Sequence, residues 1–432
     1  MSATVESLEI RPEYSREATV TVPGSKSLSN RALVVAAVAE GESRISGLLR
    51  ADDTKVMLDA LAKLGVRLSA DGTEATVSGH AGPIASQAAE LDVNYSGTTL
   101  RFLLPLLAAG NGEFILTGRG RMLERPIQDQ LDALKTLGAD AASLNGNGCP
   151  PVRLVASGLN GGSTVVQGGR SSQYLSGLLL AAPLAAGPVE ITVAGELQSK
   201  PFVDLTLGVM RDFGISVERE GHSRFLVRPG TYRAADYRVE GDATAAGNFW
   251  VAAAVTGSRV TVTNVGREST QGDTALLGVL EKMGCTVSYQ AGGVTVQGPG
   301  LGSLRGGEFD LNDFPDQALA LAVAGLFTDS PLTIRNVPNM RIKETDRLAA
   351  LATELRRIGA EVQEGSDSLT VRPGSRHGPA DIHTYADHRM AMAFAVAGLR
   401  QPGIRILDPG CVDKTYPDYW RDFAALQQGA AA

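Results

Sequence analysis

An internal repeat of about 70 residues runs through the 432-residue chain and limits the folds open to it. In each copy, a polar or glycine-rich stretch leads into a run of alanine, leucine and valine that ends at a glycine. The terminal glycines are 69, 77, 70, 68 and 73 residues apart. The six copies are residues 23–41, 94–110, 169–187, 242–257, 313–325 and 386–398. This periodicity predicts one architecture repeated six times, with an apolar, buried helix in each copy.

A second family of segments alternates with the first. Each is an amphipathic helical pattern that closes in a glycine, at Gly65, Gly138, Gly214, Gly284 and Gly359. A glycine directly after a helix is typical of a left-handed C-terminal cap. The stretches that follow, such as residues 215–230 and 360–374, alternate as a β-hairpin does. Each repeat is therefore predicted to be a βαβαββ unit.

The two chain ends are predicted to complete each other. One period after Gly359, residues 419–429 form an amphipathic helix with no strands behind it. Residues 8–12 (LEIRP) resemble residues 226–230 (LVRPG) and 369–374 (LTVRPG), so the N-terminus should close the sixth repeat. We therefore predict an α/β protein with two lobes of three repeats each. Residues 1–22 plus 242–432 would form one lobe and residues 23–241 the other, with the active site in the cleft between them.

Composition and charge exclude several classes of function. The chain carries 40 Lys and Arg against 47 Asp and Glu, a net charge of -7, and only 5% aromatic residues. It therefore lacks the basic, aromatic surface of a nucleic-acid-binding protein. The apolar runs contain Ser, Gly and Pro and stop short of the ~20 residues that a membrane span needs. Three scattered cysteines suit neither a disulfide framework nor a metal site, and we expect no metal.

The first 20 residues contain four glutamates and no apolar segment, which is not the pattern of a signal or transit peptide. We expect a monomeric protein of the cytoplasm.

The polar residues of the six apolar helices gather at their N-terminal ends. Helix N-termini carry unpaired N–H groups and a partial positive charge, so six of them directed at one cleft would bind anions. Ordinary capping by Ser, Thr, Asn and Asp would explain the same residues. Cations at or near these ends favour small anionic ligands, since Arg and Lys grip carboxylates and phosphates. The cations are Lys26, Arg31, Arg101, Arg121, Arg125, Lys343, Arg347, Arg389 and Lys414. The alternative is that they form salt bridges with neighbours such as Glu124, Glu344 and Asp346.

Other polar groups stand at equivalent positions. The pair Ser171 and Ser172 with Gln173 begins the third apolar helix and suits a phosphate. Asp316 and Glu344 are candidates for general base and acid, although Asp316 could instead cap a helix. Cys411 has no paired base nearby and is predicted to be a small buried residue. No phosphate-binding GxxxxGK[ST] loop is present, which argues against nucleotide chemistry.

Nine segments, in chain order, resemble a known family. They are PGSKSLSNRA, NYSGTTLRF, RGRMLERPI, SSQYLSGLLLAAP, QSKPFVDLTL, FPDQ, RIKETDRLAALATELRRIGAEV, YADHRMAMA and DKTYPDYW. These segments resemble the 5-enolpyruvylshikimate-3-phosphate synthases, and the resemblance runs from about residue 20 to residue 421. The resemblance implies a two-lobed inside-out α/β barrel of six βαβαββ units, the enolpyruvyl transferase fold. It also implies transfer of the enolpyruvyl group of phosphoenolpyruvate to the 5-hydroxyl of shikimate 3-phosphate, with phosphate released and no cofactor.

The resemblance assigns ligands residue by residue. Shikimate 3-phosphate would be held by Ser27, Arg31, Ser171, Ser172, Gln173, Ser199, Asp316, Asn339 and Lys343. Phosphoenolpyruvate would be held by Lys26, Gly97, Arg121, Arg347, Arg389 and Lys414. The implied chemistry is addition followed by elimination, with Asp316 as base for the hydroxyl proton and Glu344 or Lys26 as proton donor. No nucleic acid, membrane or metal takes part.

Two residues depart from the family pattern. Phe202 stands where members often have Tyr, and Phe102 where many bacterial members have Pro. Two alternatives stay open. One is the related UDP-N-acetylglucosamine enolpyruvyl transferase family, which places a reactive Cys where this chain has residues 119–125, without Cys. The other is a non-catalytic sugar-phosphate-binding protein on the same fold.

Overall fold

The structure is a computed structural model, which describes residues 6–374 and 377–427. The chain divides into two compact units. The central unit spans Gly24–Val239, and the terminal unit contains the described residues up to Pro23 and those from Glu240 onward. Each unit has its own hydrophobic core.

Three four-stranded sheets belong to the central unit. In spatial order they are β14 (Asp236–Arg238), β3 (Glu42–Ser46), β5 (Glu74–Ser78), β4 (Arg67–Asp71); β6 (Ala85–Asp92), β7 (Asn111–Thr117), β9 (Val152–Ser157), β8 (Asp140–Ser143); and β10 (Gly162–Gln167), β11 (Val189–Ala194), β13 (Arg224–Val227), β12 (Glu218–Glu220). In each sheet the first two strands are parallel, and the remaining pairs are antiparallel.

Three sheets also belong to the described part of the terminal unit. They are β2 (Glu17–Val20), β15 (Arg259–Val262), β17 (Gly293–Gln297), β16 (Thr286–Gln290); β18 (Gly307–Asp310), β19 (Leu332–Arg335), β21 (Leu369–Arg372), β20 (Glu361–Glu364); and β22 (Ala380–Ile382), β23 (Ile404–Leu407), β1 (Ser7–Glu9). The βαβαββ repeat predicted from the sequence is therefore present in both units.

The chain ends meet in the last of these sheets. Strand β1 pairs antiparallel with β23, with Leu8 opposite Ile406. It thereby occupies the place that β13 and β21 hold in their own sheets, the strands whose sequences it resembles. The next segment, β2, pairs parallel with β15 and opens the fourth repeat. One N-terminal stretch thus supplies strands to two different repeats.

The six apolar helices form the cores of the two units. They are α1 (Lys26–Val38), α3 (Gly97–Ala108), α5 (Ser172–Ala181), α7 (Ala243–Thr256), α9 (Ala318–Ala324) and α11 (His388–Gly398). Helix α3 packs against α1 and α5, while α7, α9 and α11 pack against one another. Helices that are apolar on every face must be covered on every face, so they lie inside and the sheets lie around them.

The amphipathic helices alternate with these. They are α2 (Asp52–Lys63), α4 (Gln128–Thr136), α6 (Lys200–Asp212), α8 (Leu276–Lys282), α10 (Arg347–Ile358) and α12 (Tyr419–Ala424). The glycines that follow the first five all have positive φ, from 86° at Gly65 to 104° at Gly359, so the predicted left-handed caps are confirmed.

Helix α12 is shorter than the predicted span of residues 419–429, and Gly429 lies outside the described residues. It ends at Ala424 because the chain turns there. Leu426 enters the core, and its carbonyl accepts a hydrogen bond from the backbone N–H of Ser15.

Candidate active site

In the central unit, Lys26 is the first residue of α1, and the side chain of the preceding Ser25 makes no capping hydrogen bond. Its ammonium lies 3.3 Å from a carboxylate oxygen of Asp53, which is buried in the first turn of α2. A buried carboxylate in ionic contact fixes the position of the ammonium. The carbonyl of Ser27, the next residue, accepts a hydrogen bond from Arg31 Nη1 at 2.9 Å.

Arg31 lies in a cage of neutral acceptors, with only 2% of the residue exposed. Its Nε donates to Thr206 Oγ1 at 2.8 Å, and its Nη2 donates to the Phe202 carbonyl at 2.9 Å and to Ser176 Oγ at 3.4 Å. Burial lowers the pKa of Arg31 to about 9. The cage ties α1 to α5 and α6, so this arginine is a packing element of the unit as well as a candidate ligand.

Gly97 begins α3 and lies against a guanidinium group. A Cβ at this position would be 2.8 Å from Arg125 Nη1 and 2.9 Å from Arg125 Cζ. Arg125 is itself buried. The missing side chain at residue 97 is therefore what admits the Arg125 guanidinium to the start of the helix.

Gln173, at the start of α5, is held by α3. Its Oε1 accepts from Arg101 Nη1 at 2.8 Å, and its Nε2 donates to Thr98 Oγ1 at 3.3 Å. Ser171 is the N-cap of α5, and its hydroxyl accepts from the Gln173 backbone N–H. Ser172 follows it and is buried. These hydroxyl and amide groups lie together at one helix start, as predicted.

Arg121 and Ser199 are two further predicted site residues of the central unit, one exposed and one buried. Arg121 lies on the 3₁₀ turn Gly120–Glu124, is largely exposed and pairs with Glu124. Ser199 is buried at the start of α6 in a left-handed conformation, with φ of 58°. A non-glycine residue in that region is uncommon and is found where the surrounding structure enforces it.

The terminal unit contains an ion-pair cluster centred on Arg347, which is 1% exposed. The guanidinium makes two bonds to Asp387, from Nε at 2.7 Å and from Nη2 at 3.2 Å. Nη1 donates to Asp316 at 2.9 Å and Nη2 to Glu344 at 3.0 Å. Burial alone would lower the pKa of Arg347, but attraction to these carboxylates outweighs burial and raises the pKa.

Asp316 joins three cations. Besides Arg347, its carboxylate lies 3.4 Å from Lys343 Nζ and 3.1 Å from Arg389 Nη2. It is the middle residue of the 3₁₀ turn Pro315–Gln317, whose N-cap is Phe314, so the alternative in which Asp316 caps a helix is wrong. Asp316 is an ion-pair partner of the predicted site cations.

Glu344 completes the cluster. One oxygen accepts from Arg347, and the other accepts from Lys414 Nζ at 2.8 Å. Asn339 is buried on the 3₁₀ turn Pro338–Ile342, which packs against α10 and against the turn that carries Asp316. Among the described residues of this unit, four cations therefore pair with three carboxylates, from positions as distant in the sequence as 316 and 414, and clustered cations suit an anion.

Sequence reasoning missed three acidic residues. Asp387 is buried, accepts two hydrogen bonds from Arg347 and is the N-cap of α11. Asp53 is the partner of Lys26. Asp273 is buried on the 3₁₀ turn Gly272–Ala275, and burial, then repulsion from Asp316, raises its pKa to about 7. An acid just before an apolar helix was the available signal for Asp387, but nothing local distinguishes the other two.

The N-terminal ends of the apolar helices differ in their capping. Side chains cap four of the six apolar helices, by Ser96, Ser171, Asp242 and Asp387. Ordinary capping is therefore right at those four ends, but α1 has no such cap and carries Lys26 instead. The predicted salt-bridge partners Glu124 and Glu344 do pair with predicted cations, whereas Asp346 pairs with Arg341.

Cys411 and His388 are two further polar residues of the terminal unit. Burial raises the pKa of the Cys411 thiol to about 12, which keeps it protonated and unreactive. His388 is fully buried, with Nδ1 3.7 Å from Asp387.

Within residues 6–374 and 377–427, no three His, Cys, Asp or Glu side chains converge as metal ligands would. None of the helices described there is long and apolar enough to cross a membrane.

Comparison with known proteins identifies the family. The family model for EPSP synthase (3-phosphoshikimate 1-carboxyvinyltransferase) matches residues 10–423. The chain belongs to the EPSP synthase family. It is 45% identical over 431 residues to the 3-phosphoshikimate 1-carboxyvinyltransferase of Photobacterium profundum, and the match covers 99% of this chain and 100% of that protein. It is 46% identical over 429 residues to the enzyme of that name from Serratia proteamaculans, covering 98% and 99%.

Solved EPSP synthases share the fold. The structure of EPSP synthase from Acinetobacter baumannii superposes with a TM-score of 0.82 at 26% identity and covers 99% of both chains. The two-lobed enolpyruvyl transferase fold expected from the sequence is thereby confirmed.

The two departures from the family pattern lie close to Arg31. The Arg31 guanidinium lies over the Phe102 ring, 5.0 Å from its centroid, and Phe102 is fully buried. Phe202 packs partly buried against the core, and its carbonyl belongs to the Arg31 cage. A cation over an aromatic face is stabilised by the ring quadrupole. Phe102 therefore supports Arg31 in a way that a proline would not.

Proposed function

We propose that this protein transfers the enolpyruvyl group of phosphoenolpyruvate to the 5-hydroxyl of shikimate 3-phosphate and releases phosphate. Its family membership and full-length identity to 3-phosphoshikimate 1-carboxyvinyltransferases support the proposal. The observation that carries it is the Arg347 cluster, because four cations around three carboxylates have the chemistry for binding an anionic substrate beside acid and base groups.

Phosphoenolpyruvate is proposed to bind the cations. Arg347, Arg389 and Lys414 would bind its phosphate and carboxylate, together with Lys26 and Arg121. In the free protein each of these cations has a carboxylate partner. The ligand's oxygens would share these cations, which stay close to their positions because the carboxylates hold them. Gly97 would contribute by keeping the Arg125 guanidinium at the start of α3.

Shikimate 3-phosphate is proposed to bind hydroxyls, amides and two further cations. The group comprises Ser27, Arg31, Ser171, Ser172, Gln173, Ser199, Asp316, Asn339 and Lys343. Arg31 already donates four hydrogen bonds to the protein, so its guanidinium has one further N–H to offer. Gln173 is positioned for recognition by its two contacts with α3.

The proposed chemistry is addition followed by elimination. Asp316 would take the proton of the 5-hydroxyl as that oxygen adds to C2 of phosphoenolpyruvate, while Glu344 or Lys26 delivers a proton to C3. Phosphate would then leave from C2 of the tetrahedral adduct as one proton is removed from the C3 methyl group, which restores the C2–C3 double bond. Cations whose charge is shared with the ligand compensate Asp316 and Glu344 less, so these carboxylates would hold a proton more tightly. Ligand binding would thereby prepare both groups for proton transfer.

The test is phosphate release from phosphoenolpyruvate by the full-length protein. We expect release that depends on shikimate 3-phosphate and no release when UDP-N-acetylglucosamine replaces it. Release with UDP-N-acetylglucosamine alone would assign the chain to the other acceptor. Binding of shikimate 3-phosphate by calorimetry, without turnover under any condition, would support the non-catalytic alternative. Light scattering of the same preparation tests the expected monomer.

A further inference from the structure

Glu354 is a buried carboxylate in the terminal unit that the proposed chemistry does not use. It lies on α10 and is 0% exposed. One of its oxygens accepts from Arg357 Nε at 2.9 Å and from the backbone N–H of His383 at 3.2 Å. The other accepts from the Tyr385 hydroxyl at 2.7 Å. Two of its three donors therefore belong to the segment that precedes α11.

That segment has an unfavourable backbone conformation. Tyr385 has φ of 56° and Ala386 has φ of 54°, so two successive non-glycine residues are left-handed. Such residues persist only where the surroundings hold them, and they concentrate at functional sites. The next residue is Asp387, which pairs with Arg347 and caps the helix carrying Arg389.

Helix α10 makes hydrogen bonds to this segment from two positions along its length. Arg347, its first residue, bonds to Asp387. Glu354 lies seven residues further on, about two helical turns along the same face, and bonds to His383 and Tyr385. The left-handed residues lie between these two attachments. The segment is therefore fixed on both sides of its unfavourable turn.

We propose that Glu354 and Tyr385 are positioning residues that hold this turn and thereby place Asp387 and Arg389 in the ion-pair cluster. Without the Tyr385–Glu354 bond, the turn would relax toward ordinary backbone angles. The carboxylate of Asp387 would then lose its alignment with Arg347, and Arg389 would move with the start of α11. The kinetic consequence rests on the proposed function, but the structural consequence does not.

The first test is Tyr385→Phe, which removes only the hydroxyl. The ring is on the surface, with 42% of the residue exposed, so the variant should fold. Tyr289→Phe is the matched control, since Tyr289 is 41% exposed in the same unit and lies under Arg267, remote in sequence from the cluster. We expect Tyr385→Phe to raise KM for phosphoenolpyruvate about three- to tenfold, as for the loss of one ordinary hydrogen bond. KM for shikimate 3-phosphate should change less, and Tyr289→Phe should match wild type.

The second test is amide hydrogen exchange of residues 384–390 in the same proteins. The amides of Asp387, Arg389 and Met390 are hydrogen-bonded in this segment. They should exchange roughly tenfold faster in Tyr385→Phe than in wild type or Tyr289→Phe. Glu354→Gln, with one acceptor oxygen in place of two, should also accelerate exchange at His383.

The two tests separate the proposals. If wild type releases no phosphate, the proposed function fails, while faster exchange in Tyr385→Phe still supports the positioning role. If exchange in Tyr385→Phe equals that of wild type, Tyr385 and Glu354 do not position the cluster, whatever the activity. If exchange is faster but KM for phosphoenolpyruvate is unchanged, the turn does not place Arg389 in the cluster, and the proposal is overturned.

Discussion

The buried pair between Arg347 and Asp387 gives the sharpest stability prediction. In Asp387→Asn the side chain keeps its shape and its ability to cap α11, because Asn is as good an N-cap as Asp. What is lost is the charge opposite Arg347 and one of the two oxygens that accept hydrogen bonds from its guanidinium. Removing one partner of a buried pair costs about 3–5 kcal/mol. Since Asp316 and Glu344 stay within 3.0 Å of Arg347, we expect the lower part of that range or slightly less, about 2–3 kcal/mol.

Urea unfolding followed by tryptophan fluorescence measures this cost. The two tryptophans, Trp250 and Trp420, both belong to the terminal unit, so the signal reports the unit that contains the pair. The matched control is Asp381→Asn. Asp381 also makes two contacts with one arginine, Arg405, but both side chains are about half exposed. That change should lower the free energy of unfolding far less, because water already screens an exposed pair.

Asp387→Asn and Asp381→Asn differ in the burial of the ion pair that they break. If Asp387→Asn is no more destabilising than Asp381→Asn, burial does not make this pair important for stability. A further variant, Asp387→Ala, also removes the cap and should cost about 1 kcal/mol more than Asp387→Asn. Equal losses in the two Asp387 variants would mean that the cap adds nothing.

Three further predictions concern single side chains. Gly97→Ala should raise KM for phosphoenolpyruvate several-fold, because the methyl group would displace the Arg125 guanidinium. The control is Gly208→Ala on α6, which should leave KM unchanged because no atom lies within 4 Å of the added Cβ. An equal effect in both would exclude contact with the guanidinium as the cause. Lys26→Met should reduce phosphate release by about 10²-fold or more, as expected for loss of a charge that stabilises the transition state. It should also lower the urea midpoint of the central unit, followed by far-UV circular dichroism, because the buried carboxylate at 3.3 Å loses this contact. A higher midpoint would show that the pair is not stabilising. Burial raises the pKa of Asp273 to about 7, whereas the ordinary value is 3.8. Between these two pH values the native state therefore binds a proton that the unfolded state does not, and wild type loses stability as the pH rises to 7. The free energy of unfolding of Asp273→Asn, measured in urea relative to wild type, should therefore rise by roughly 2–3 kcal/mol between pH 5 and 7 and then level off; a pH-independent difference would contradict the raised pKa.

The sequence alone was sufficient for the architecture. The repeat period predicted six buried helices, and the closing glycines predicted left-handed caps at five helices. The likeness of residues 8–12 to two later strands anticipated the pairing of β1 with β23. These features are readable because helix and strand periodicity, glycine caps and repeat spacing depend on residues close together in the chain. Motif resemblance then identified the family.

The sequence also indicated which residue types gather at the candidate site, but not how they pair. It offered Arg31 as a ligand for shikimate 3-phosphate but did not indicate the hydroxyls, carbonyls and Phe102 ring that surround its guanidinium in the folded protein. Asp316 looked like a helix cap as readily as a base, until three cations were found around it.

Only the tertiary structure decided these partnerships. Arg347 meets Asp387 across 40 residues, and Arg31 meets Thr206 across 175. No local periodicity encodes such distances, because they depend on how separate repeats pack around a shared core. The same holds for Glu354, which reads as one polar residue on an amphipathic helix. Its burial beneath Tyr385 and His383 follows from the path of a left-handed turn about 30 residues later in the chain.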